Sequence, residues 1–311
     1  MVTNREVLIS DVDAGPDGEF YVARESETHQ SLIHDTLAAT QAYLNASGWQ
    51  RVGSSTICNG RAVDVWRNQD SGDLIAVYEN VRWALWLDIE GFGSLYDGTF
   101  GKRAILALGS LIQDLYRIGT LVYPQERLFI RQLGDGFIVE PDFGDLDIMR
   151  PLAIGTALQR AALMRGHCLK IGIGIGVVAD VQSCYPREVM KNFKNGRANL
   201  GAGLMTITTV MGQGLIDANK VSGRASGPLL LIRPDLEDTI PQGHVPRLSR
   251  ETHIEVDWIH LDLPETARIQ GVLGASLDSL DCESCLRSYI GKNTSLSDSW
   301  RDSAELLIRG Y

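Results

Sequence analysis

Two short acidic segments of the chain carry residue types that bind divalent metal ions. They are Trp86-Leu87-Asp88-Ile89-Glu90-Gly91-Phe92-Gly93 and Leu133-Gly134-Asp135-Gly136-Phe137. In each segment an apolar strand delivers an aspartate to a strand end or a hairpin tip, and the chain then turns at glycine. Two carboxylates on neighbouring strands can hold divalent metal, and a triphosphate brings further oxygen ligands of its own. The segments therefore predict phosphate chemistry at Asp88 and Asp135.

Each segment alone has a simpler explanation. Aspartate and glycine dominate ordinary turns, so Asp88 could simply end a strand and Asp135 could simply belong to a hairpin turn. The order and spacing of the two segments, together with the rest of the chain, favour the metal site.

The pair of segments resembles the signature of the class III nucleotidyl cyclases. In that superfamily the first strand ends in an Asp-Ile-x-Gly-Phe pattern and the central hairpin carries Gly-Asp; the similarity covers about residues 80–235. The resemblance implies that Asp88 and Asp135 bind two Mg²⁺ or Mn²⁺ ions per site, and that the carbonyl group of Ile89 joins one of them.

The resemblance also implies a phosphate site in the turn after the first strand. The amides of residues 90–93, which include Gly91 and Phe92, would hold the terminal phosphates at the start of the next helix. We interpret Glu90 as an acidic residue that favours this helix start rather than as a metal ligand.

The base-binding half of a class III site falls on residues that differ from the adenylate cyclase pattern. By position, the base-selecting Lys and Asp become Arg131 and Thr209, and the transition-state Arg becomes Lys220, which keeps a positive charge. The family Asn becomes Ile216, and Asp217 or Asn219 could replace it after a small shift in register. For Arg131 and Lys220, a surface charge is the alternative explanation.

These differences predict a change of base. Replacing Lys and Asp by Arg131 and Thr209 removes the acceptor that reads the adenine amino group and adds a forked donor suited to uracil carbonyls. The pattern is most similar to the pyrimidine (uridylate or cytidylate) cyclases of bacterial antiphage defence. It implies conversion of UTP to 3′,5′-cyclic UMP, a second messenger. A cytidylate or adenylate cyclase, or an inactive cyclase-like module, remains an alternative.

A homodimer follows from the same resemblance, because the chain carries one metal half and one base half. Two copies arranged head to tail would form two equivalent shared sites that take a pyrimidine nucleoside triphosphate. The glycine-containing strand Ile171–Gly176 and the segment Thr206–Val210 are candidates for the interface.

Composition limits the class of partner. The chain has 311 residues with 29 Lys and Arg against 39 Asp and Glu, and the resulting net charge of −10 argues against nucleic-acid binding. We find no apolar run that approaches the roughly 20 residues of a membrane span, so we expect a cytoplasmic protein. Five cysteines without framework spacing fit reduced thiols, and Cys282-Glu283-Ser284-Cys285 is a weak candidate for half of a zinc site.

The pattern of elements predicts an α+β fold with a ferredoxin-like core. Residues 80–235 read as strand, helix, hairpin, helix and strand, followed by further strands and a helix. Residues 1–79 read as a leader with an acidic loop or loosely ordered arm over residues 1–27, followed by one helix and three short strands. Residues 236–311 read as an irregular C-terminal extension ending in a helix from Leu296 to Ile308, with Ser297 and Asp298 as capping residues.

Overall fold

The computed structural model describes most of the chain. It covers residues 7–14, 20–22, 37–56, 62–79, 81–96, 101–126, 128–141, 145–177, 179–180, 189, 193–194, 197–200, 202–206, 210–241 and 243–311. The chain forms two compact units. The first consists of Met1–Arg82, Phe143–Asp145 and Gly176–Gln213, and the second of Trp83–Asp142, Leu146–Ile175 and Gly214–Tyr311.

The described residues form seventeen strands and eight α-helices. The strands are β1 Val7–Ala14, β2 Phe20–Val22, β3 Trp49–Thr56, β4 Ala62–Asn68, β5 Leu74–Glu79, β6 Val81–Ile89, β7 Leu128–Leu133, β8 Gly136–Pro141, β9 Leu169–Val177, β10 Ala179–Asp180, β11 Phe193–Lys194, β12 Arg197–Leu200, β13 Gly203–Thr206, β14 Val210–Met211, β15 Leu230–Ile232, β16 Arg247–Ser249 and β17 Ile254–Val256. The helices are α1 Leu37–Ala46, α2 Phe92–Tyr96, α3 Lys102–Arg117, α4 Met149–Met164, α5 Gln213–Ser222, α6 Pro264–Leu273, α7 Ser279–Lys292 and α8 Asp298–Arg309. A π-helical segment, Ile118–Val122, continues α3, and Pro234–Thr239 is a 3₁₀-helix.

The first unit is built on a five-stranded sheet with the order β2-β1-β5-β4-β3. The three strands predicted for the leader are confirmed as β3, β4 and β5. The prediction of a loosely ordered arm is wrong for β1 and β2, because β1 pairs antiparallel with β5 along residues 7–11. The acidic residues of β1 make it unlike a typical strand in the sequence, and its partner β5 lies far along the chain.

The second unit contains a seven-stranded sheet with the order β16-β17-β15-β9-β6-β8-β7. Within it, the four strands β9, β6, β8 and β7 have the ferredoxin-like order, in which the first strand of the core lies between the fourth and the third. Strand β8 runs antiparallel to both β6 and β7. The predicted α+β class and ferredoxin-like order are therefore confirmed.

The main hydrophobic core of this unit lies where β6 and β9 meet α3 and α4. Helix α4 is buried along Pro151–Leu163 and is apolar nearly all round, as expected for an interior helix. Helix α3 is amphipathic and buries Ala104, Ala107, Leu111 and Leu115. Together with the π-helical turn it forms one helix, Lys102–Val122, that is long and apolar enough to cross a membrane by length and composition alone. This run was missed in the sequence, and here its buried face packs into the core.

The C-terminal residues belong to the same compact unit as the seven-stranded sheet. The predicted boundary at residue 235 is therefore not a boundary between compact units, and β15, β16 and β17 extend the sheet on one side. Helices α6 and α7 pack against α4. The last helix was predicted correctly: the Oγ of Ser297 accepts a hydrogen bond from the amide of Trp300 at 3.2 Å.

The glycines of β9 allow a helix of the same chain to approach. A Cβ atom at Gly172 would lie 2.0 Å from the carbonyl oxygen of Ala218, and one at Gly174 would lie 2.4 Å from that of Gly214. Helix α5 therefore rests directly on this strand, and the prediction that the strand forms a dimer interface is wrong for this glycine face. Of the other predicted interface, residues 207–209 lie outside the described residues.

The cysteines within the described residues are free thiols. Cys282 is buried, and burial raises its pKa to about 12. Among the described residues, no group of three His, Cys, Asp or Glu side chains is placed to hold a metal ion. Within the described residues, the hypothesis that Cys282 and Cys285 form half of a zinc site therefore has no support.

Candidate active site

Asp88 lies near the end of β6, on the face of the strand that is turned away from the main core. Alternate residues of β6 are buried in that core, namely Leu85, Leu87 and Ile89. Asp88 lies between two of them and is only partly buried, which follows from the two-residue repeat of a strand. The carboxylate is therefore held by a rigid element while it remains accessible.

Asp135 occupies the tip of the β7–β8 hairpin. Leu133 pairs with Gly136 across the turn, and Gly134 has φ 68°, a conformation that glycine adopts without steric cost. A Cβ atom at Gly136 would lie 3.2 Å from the carbonyl oxygen of Leu87. The glycines thus permit the tight turn and the close approach of β8 to β6, which together bring Asp135 to the end of β6.

The two carboxylates interact electrostatically, as expected if they share a site. Partial burial raises the pKa of Asp88, and the negative charge of Asp135 raises it further. Nearby like charges disfavour ionisation, whereas a bound cation would favour it. Carboxylate oxygens are preferred ligands of Mg²⁺, which usually takes only one or two carboxylates and completes its shell with water and phosphate oxygens.

Lys170 of β9 belongs to this site but was not among the predicted residues. Its Nζ atom lies 3.7 Å from Oε2 of Glu90. Its positive charge opposes the rise that burial causes in the pKa of both Glu90 and Asp88. The only sequence signal is a single lysine inside the apolar run Leu169–Ile175, and that signal does not reveal which carboxylates lie beside it.

The turn after β6 contains the residues predicted to bind phosphate. Gly91 has φ 68° and is exposed, while Phe92 packs partly against the core. The amide of Glu90 donates to the carbonyl oxygen of Cys168 at 2.9 Å. The prediction that the Glu90 amide holds phosphate is therefore wrong, because this bond already ties the turn to the start of β9. The roles of Gly91 and Phe92 stay predictions.

Arg131 lies on the edge strand β7 and is paired with a buried carboxylate. Its Nε atom lies 3.2 Å from Oε1 of Glu140, whose side chain is 0% exposed. Arg131 is opposite Ile138 in the sheet, and Ile138 is opposite Trp86. Residues opposite one another in a sheet share a face, and Asp88 is on the same face as Trp86. Arg131 and Asp88 therefore lie on the same face of the sheet, two strands apart.

Lys220 is on helix α5, apart from the strand-end carboxylates in sequence and in secondary structure. Lys220 and Ile216 are both exposed, and residues four apart share one face of a helix. Asp217 is buried and forms an ion pair with Arg233, so it is engaged in packing rather than available as a substitute for the family Asn. Thr209 lies outside the described residues.

The structure thus brings together some of the predicted site residues. Asp88, Ile89, Gly91, Phe92 and Asp135 meet at neighbouring strand ends and the turn that follows. Arg131 and Lys220 lie on other elements, and Lys170 is added.

No family model matches the chain, and no curated protein matches it. Several solved structures are similar. The adenylyl cyclase CyaB from P. aeruginosa is 13% identical over 57% of this chain and 92% of that chain, with a TM-score of 0.37. A class III adenylyl cyclase-like ATP-binding protein from Pseudomonas aeruginosa is 17% identical over 61% of this chain and 40% of that one, with a TM-score of 0.41. A bacterial light-regulated adenylyl cyclase is 15% identical over 63% of this chain and 98% of that one, with a TM-score of 0.36.

Proposed function

We propose that this protein is a nucleotidyl cyclase that converts a nucleoside triphosphate to its 3′,5′-cyclic monophosphate and pyrophosphate. The observation that carries the proposal is the placement of Asp88 and Asp135 at neighbouring strand ends, where the charge of Asp135 raises the pKa of Asp88. In the reaction the ribose 3′-oxygen bonds to the α-phosphorus while the bond from that phosphorus to the leaving pyrophosphate breaks. The resemblance of the two acidic segments to the class III signatures supplies this reaction type.

Asp88, Asp135 and the carbonyl group of Ile89 would hold Mg²⁺ or Mn²⁺. These residues fit such ions because they offer oxygen donors on rigid strand ends and because the two carboxylates repel one another without a cation. When bound, two divalent ions neutralise charge on the triphosphate and orient the attacking and leaving oxygens. Lys170 would keep Glu90 engaged in an ion pair at the edge of the site.

Gly91 and Phe92 would contact the terminal phosphates. The left-handed conformation of Gly91 turns the backbone sharply between β6 and α2, and successive amides in such turns form concave anion sites. The Glu90–Cys168 hydrogen bond would hold this turn in place while the substrate changes.

The preferred substrate in this proposal is UTP. Arg131 is on the same sheet face as Asp88, and the Glu140 carboxylate beside it would orient the guanidinium. A guanidinium donates paired hydrogen bonds to carbonyl-rich edges such as that of uracil. Thr209 is the second proposed base contact. CTP or ATP is the alternative substrate, and the resemblance to pyrimidine cyclases favours a second-messenger role in antiphage defence.

The sites would be shared between two copies of the chain. Lys220 would stabilise transition-state charge from the partner, and its exposed position on α5 is compatible with that role. Each protomer would then supply the strand-end carboxylates of one site and the Lys220 face of the other.

The direct test is to incubate the purified protein with ATP, GTP, CTP and UTP separately, each with Mn²⁺ or Mg²⁺, and to identify products by mass spectrometry. We expect cyclic UMP and pyrophosphate as the main products. Cyclic CMP or cyclic AMP as the main product would overturn the choice of base but keep the reaction.

The alternative is a non-catalytic nucleotide-binding module, and it is favoured by the exposed apolar Ile216 at the position of the family Asn. A matched pair of variants tests whether the activity comes from the proposed site. Asp88→Asn should lower product formation by on the order of 100-fold or more, whereas Asp238→Asn, at an exposed aspartate in the 3₁₀-helix, should leave it unchanged. Nucleotide binding without any cyclic product from the unmodified protein would identify the module instead.

A further inference from the structure

A cavity of about 320 Å³ lies next to the turn that follows β6, between helix α3 and the end of α4. Its apolar walls are formed by Leu95, Leu106 and Ala107, and its polar groups come from Arg103, Ser110, Arg165 and His167. This size is at the lower end of small-molecule sites in proteins, which combine mostly apolar walls with a few placed polar groups.

The two arginines of the cavity differ in how they are held. Arg165 is fixed by Asp114, which is buried: Nη2 of Arg165 lies 2.9 Å from Oδ1, and Nη1 contacts Oδ2. The charges of this pair cancel. Arg103 is exposed and, within the described part of the chain, makes no hydrogen bond or ion pair. The cavity therefore carries one positive charge that no carboxylate of the described residues neutralises.

His167 adds a polar group without a second charge. Burial and the nearby positive charge of Arg165 lower the pKa of His167 to about 4. At neutral pH its ring is therefore uncharged. The polar groups of the cavity are thus the Arg103 guanidinium, which has no partner among the described residues, the fixed guanidinium of Arg165, the Ser110 hydroxyl and a neutral imidazole.

We propose that this cavity binds a small organic anion, either a carboxylate or a phosphate monoester, with an apolar body. The guanidinium of Arg103 matches the planar, forked geometry of carboxylate and phosphate oxygens, and the apolar walls formed by Leu95 and Leu106 would cover the rest of the ligand. A cationic ligand is disfavoured by the same unneutralised charge.

The cavity is linked to the candidate active site through the backbone. Cys168 follows His167 in the chain, and its carbonyl oxygen accepts the hydrogen bond from the Glu90 amide. Leu95, in the cavity wall, belongs to the helix that begins at Phe92. An anion bound in the cavity would therefore lie close to the Glu90–Cys168 hydrogen bond that holds the turn after β6. An effect on turnover rests on the proposed function, whereas binding itself does not.

Binding can be measured on the full chain by calorimetry, without nucleotide or metal. The probes share one apolar body and differ in charge: benzoate, phenyl phosphate, benzyl alcohol and benzylammonium. We expect saturable binding of one or both anions at millimolar concentration or below, and at least about tenfold weaker binding of the alcohol and the amine. The stronger of the two anions identifies the head group.

Two variants locate the site. Arg103→Gln should weaken anion binding by about tenfold or more, since it removes a charge-assisted contact. Lys102→Gln, which removes the same charge from the neighbouring exposed residue outside the cavity, should leave the affinity within about twofold. Both positions are exposed, so both variants should fold. Equal binding of anions and alcohol, unchanged binding in Arg103→Gln, or no binding of any probe would each overturn the proposal, whatever the outcome of the cyclase assay.

Discussion

Asp88 is a residue at which the proposed metal binding and the stability of the metal-free protein oppose one another. Burial and the charge of Asp135 raise its pKa in the folded protein. A carboxyl group whose pKa is higher in the folded than in the unfolded chain lowers stability once the pH is high enough to ionise the unfolded chain. Ionised Asp88 therefore destabilises the metal-free fold at neutral pH, and a cation bound at the proposed site would offset this cost.

We predict that Asp88→Asn makes the metal-free protein more stable than wild type at neutral pH. The difference should shrink as the pH falls through the raised pKa of Asp88 and should vanish below the ordinary aspartate pKa, where both chains are neutral at this position. Cyclase activity should fall by on the order of 100-fold or more, because even residues that only support metal ligands account for 10–100-fold. Urea unfolding across pH, with Asp238→Asn as control, measures the stability change. A loss of stability at neutral pH would contradict the assigned electrostatics.

Arg131 and Glu140 show why the type of substitution matters. Removing Arg131 entirely would take a cation from a carboxylate that is 0% exposed, so loss of activity in Arg131→Ala could reflect damage to the fold. Arg131→Lys keeps the positive charge beside Glu140 and removes only the forked geometry. We predict that Arg131→Lys retains the melting temperature within a few degrees and lowers the preference for UTP over ATP by about tenfold or more. Competition between the two nucleotides measures this preference. An unchanged ratio would make Arg131 only the ion-pair partner of Glu140.

The two aspartates could be found in the sequence because each is part of a local signal, an apolar strand followed by glycine. Lys170 could not, since its importance depends on a neighbouring strand that places it beside Glu90 and Asp88. In the sequence Asp217 is a candidate substitute for the family Asn. Its ion pair with Arg233 is not visible there, because Arg233 lies beyond the helix that carries Asp217. Local patterns identify candidate groups, whereas partners across a sheet or between elements come only from the fold.

At the scale of elements, the contact between β9 and α5 depends on two positions without side chains. We predict that Gly172→Ala lowers the free energy of unfolding by about 2 kcal/mol or more, because its Cβ would meet the backbone oxygen of Ala218 at 2.0 Å and backbone gives way less easily than a side chain. Gly109→Ala, in α3 with nothing within 4 Å of the added atom, should be neutral or stabilising by up to about 1 kcal/mol. Chemical denaturation of both variants tests this contrast. Equal effects would mean that α5 does not rest on β9.

The elements predicted correctly from the sequence carry a local apolar pattern. Strands β3 to β9 and helices α3 and α4 are confirmed, with boundaries that differ by a few residues. Helix α3 has a 3.6-residue apolar period, whereas α4 is a long apolar run. Strand β1 and the strands β16 and β17 were missed because they are acidic or only three residues long. Strand β1 is stabilised by β5, a partner distant in sequence that a local pattern does not reveal, whereas β16 pairs with the neighbouring β17 and both are too short to show a period.

At the scale of the whole compact unit, Arg160 connects α4 to the C-terminal region. Its buried guanidinium donates to the carbonyl oxygens of Trp258, Ile259 and Leu261 at 2.8–3.2 Å. We predict that Arg160→Leu lowers the free energy of unfolding by more than about 3 kcal/mol, since it leaves several buried acceptors without this donor. The exposed Arg224→Leu should change it by less than about 0.5 kcal/mol. Urea titration compares the two. A small effect of Arg160→Leu would show that the C-terminal region is only loosely attached.

The proposed shared site makes a prediction about mixed dimers. Asp88→Ala and Lys220→Ala should each be inactive alone, but co-refolded mixtures should regain about one quarter of the wild-type rate. Random pairing makes half of the dimers mixed, and each mixed dimer contains one site with both halves intact. Subunit mixing is checked by separately tagged chains and co-purification. No recovery in mixed dimers would place the complete site in one protomer.

The strand order of the large sheet determines when each strand can pair during synthesis of the chain. Strand β6, which carries Asp88, has β8 on one side and β9 on the other, and β15, β17 and β16 complete the sheet beyond β9. The ribosome releases these neighbours in sequence order, so the apolar residues of β6 stay without their partners until much of the chain has emerged. Helix α8, with Trp300 and Leu307 in the core, emerges after all seven strands of this sheet. A messenger with a stop codon before β9 therefore yields a fragment in which one edge of β6 is unpaired, and such a fragment is prone to aggregate.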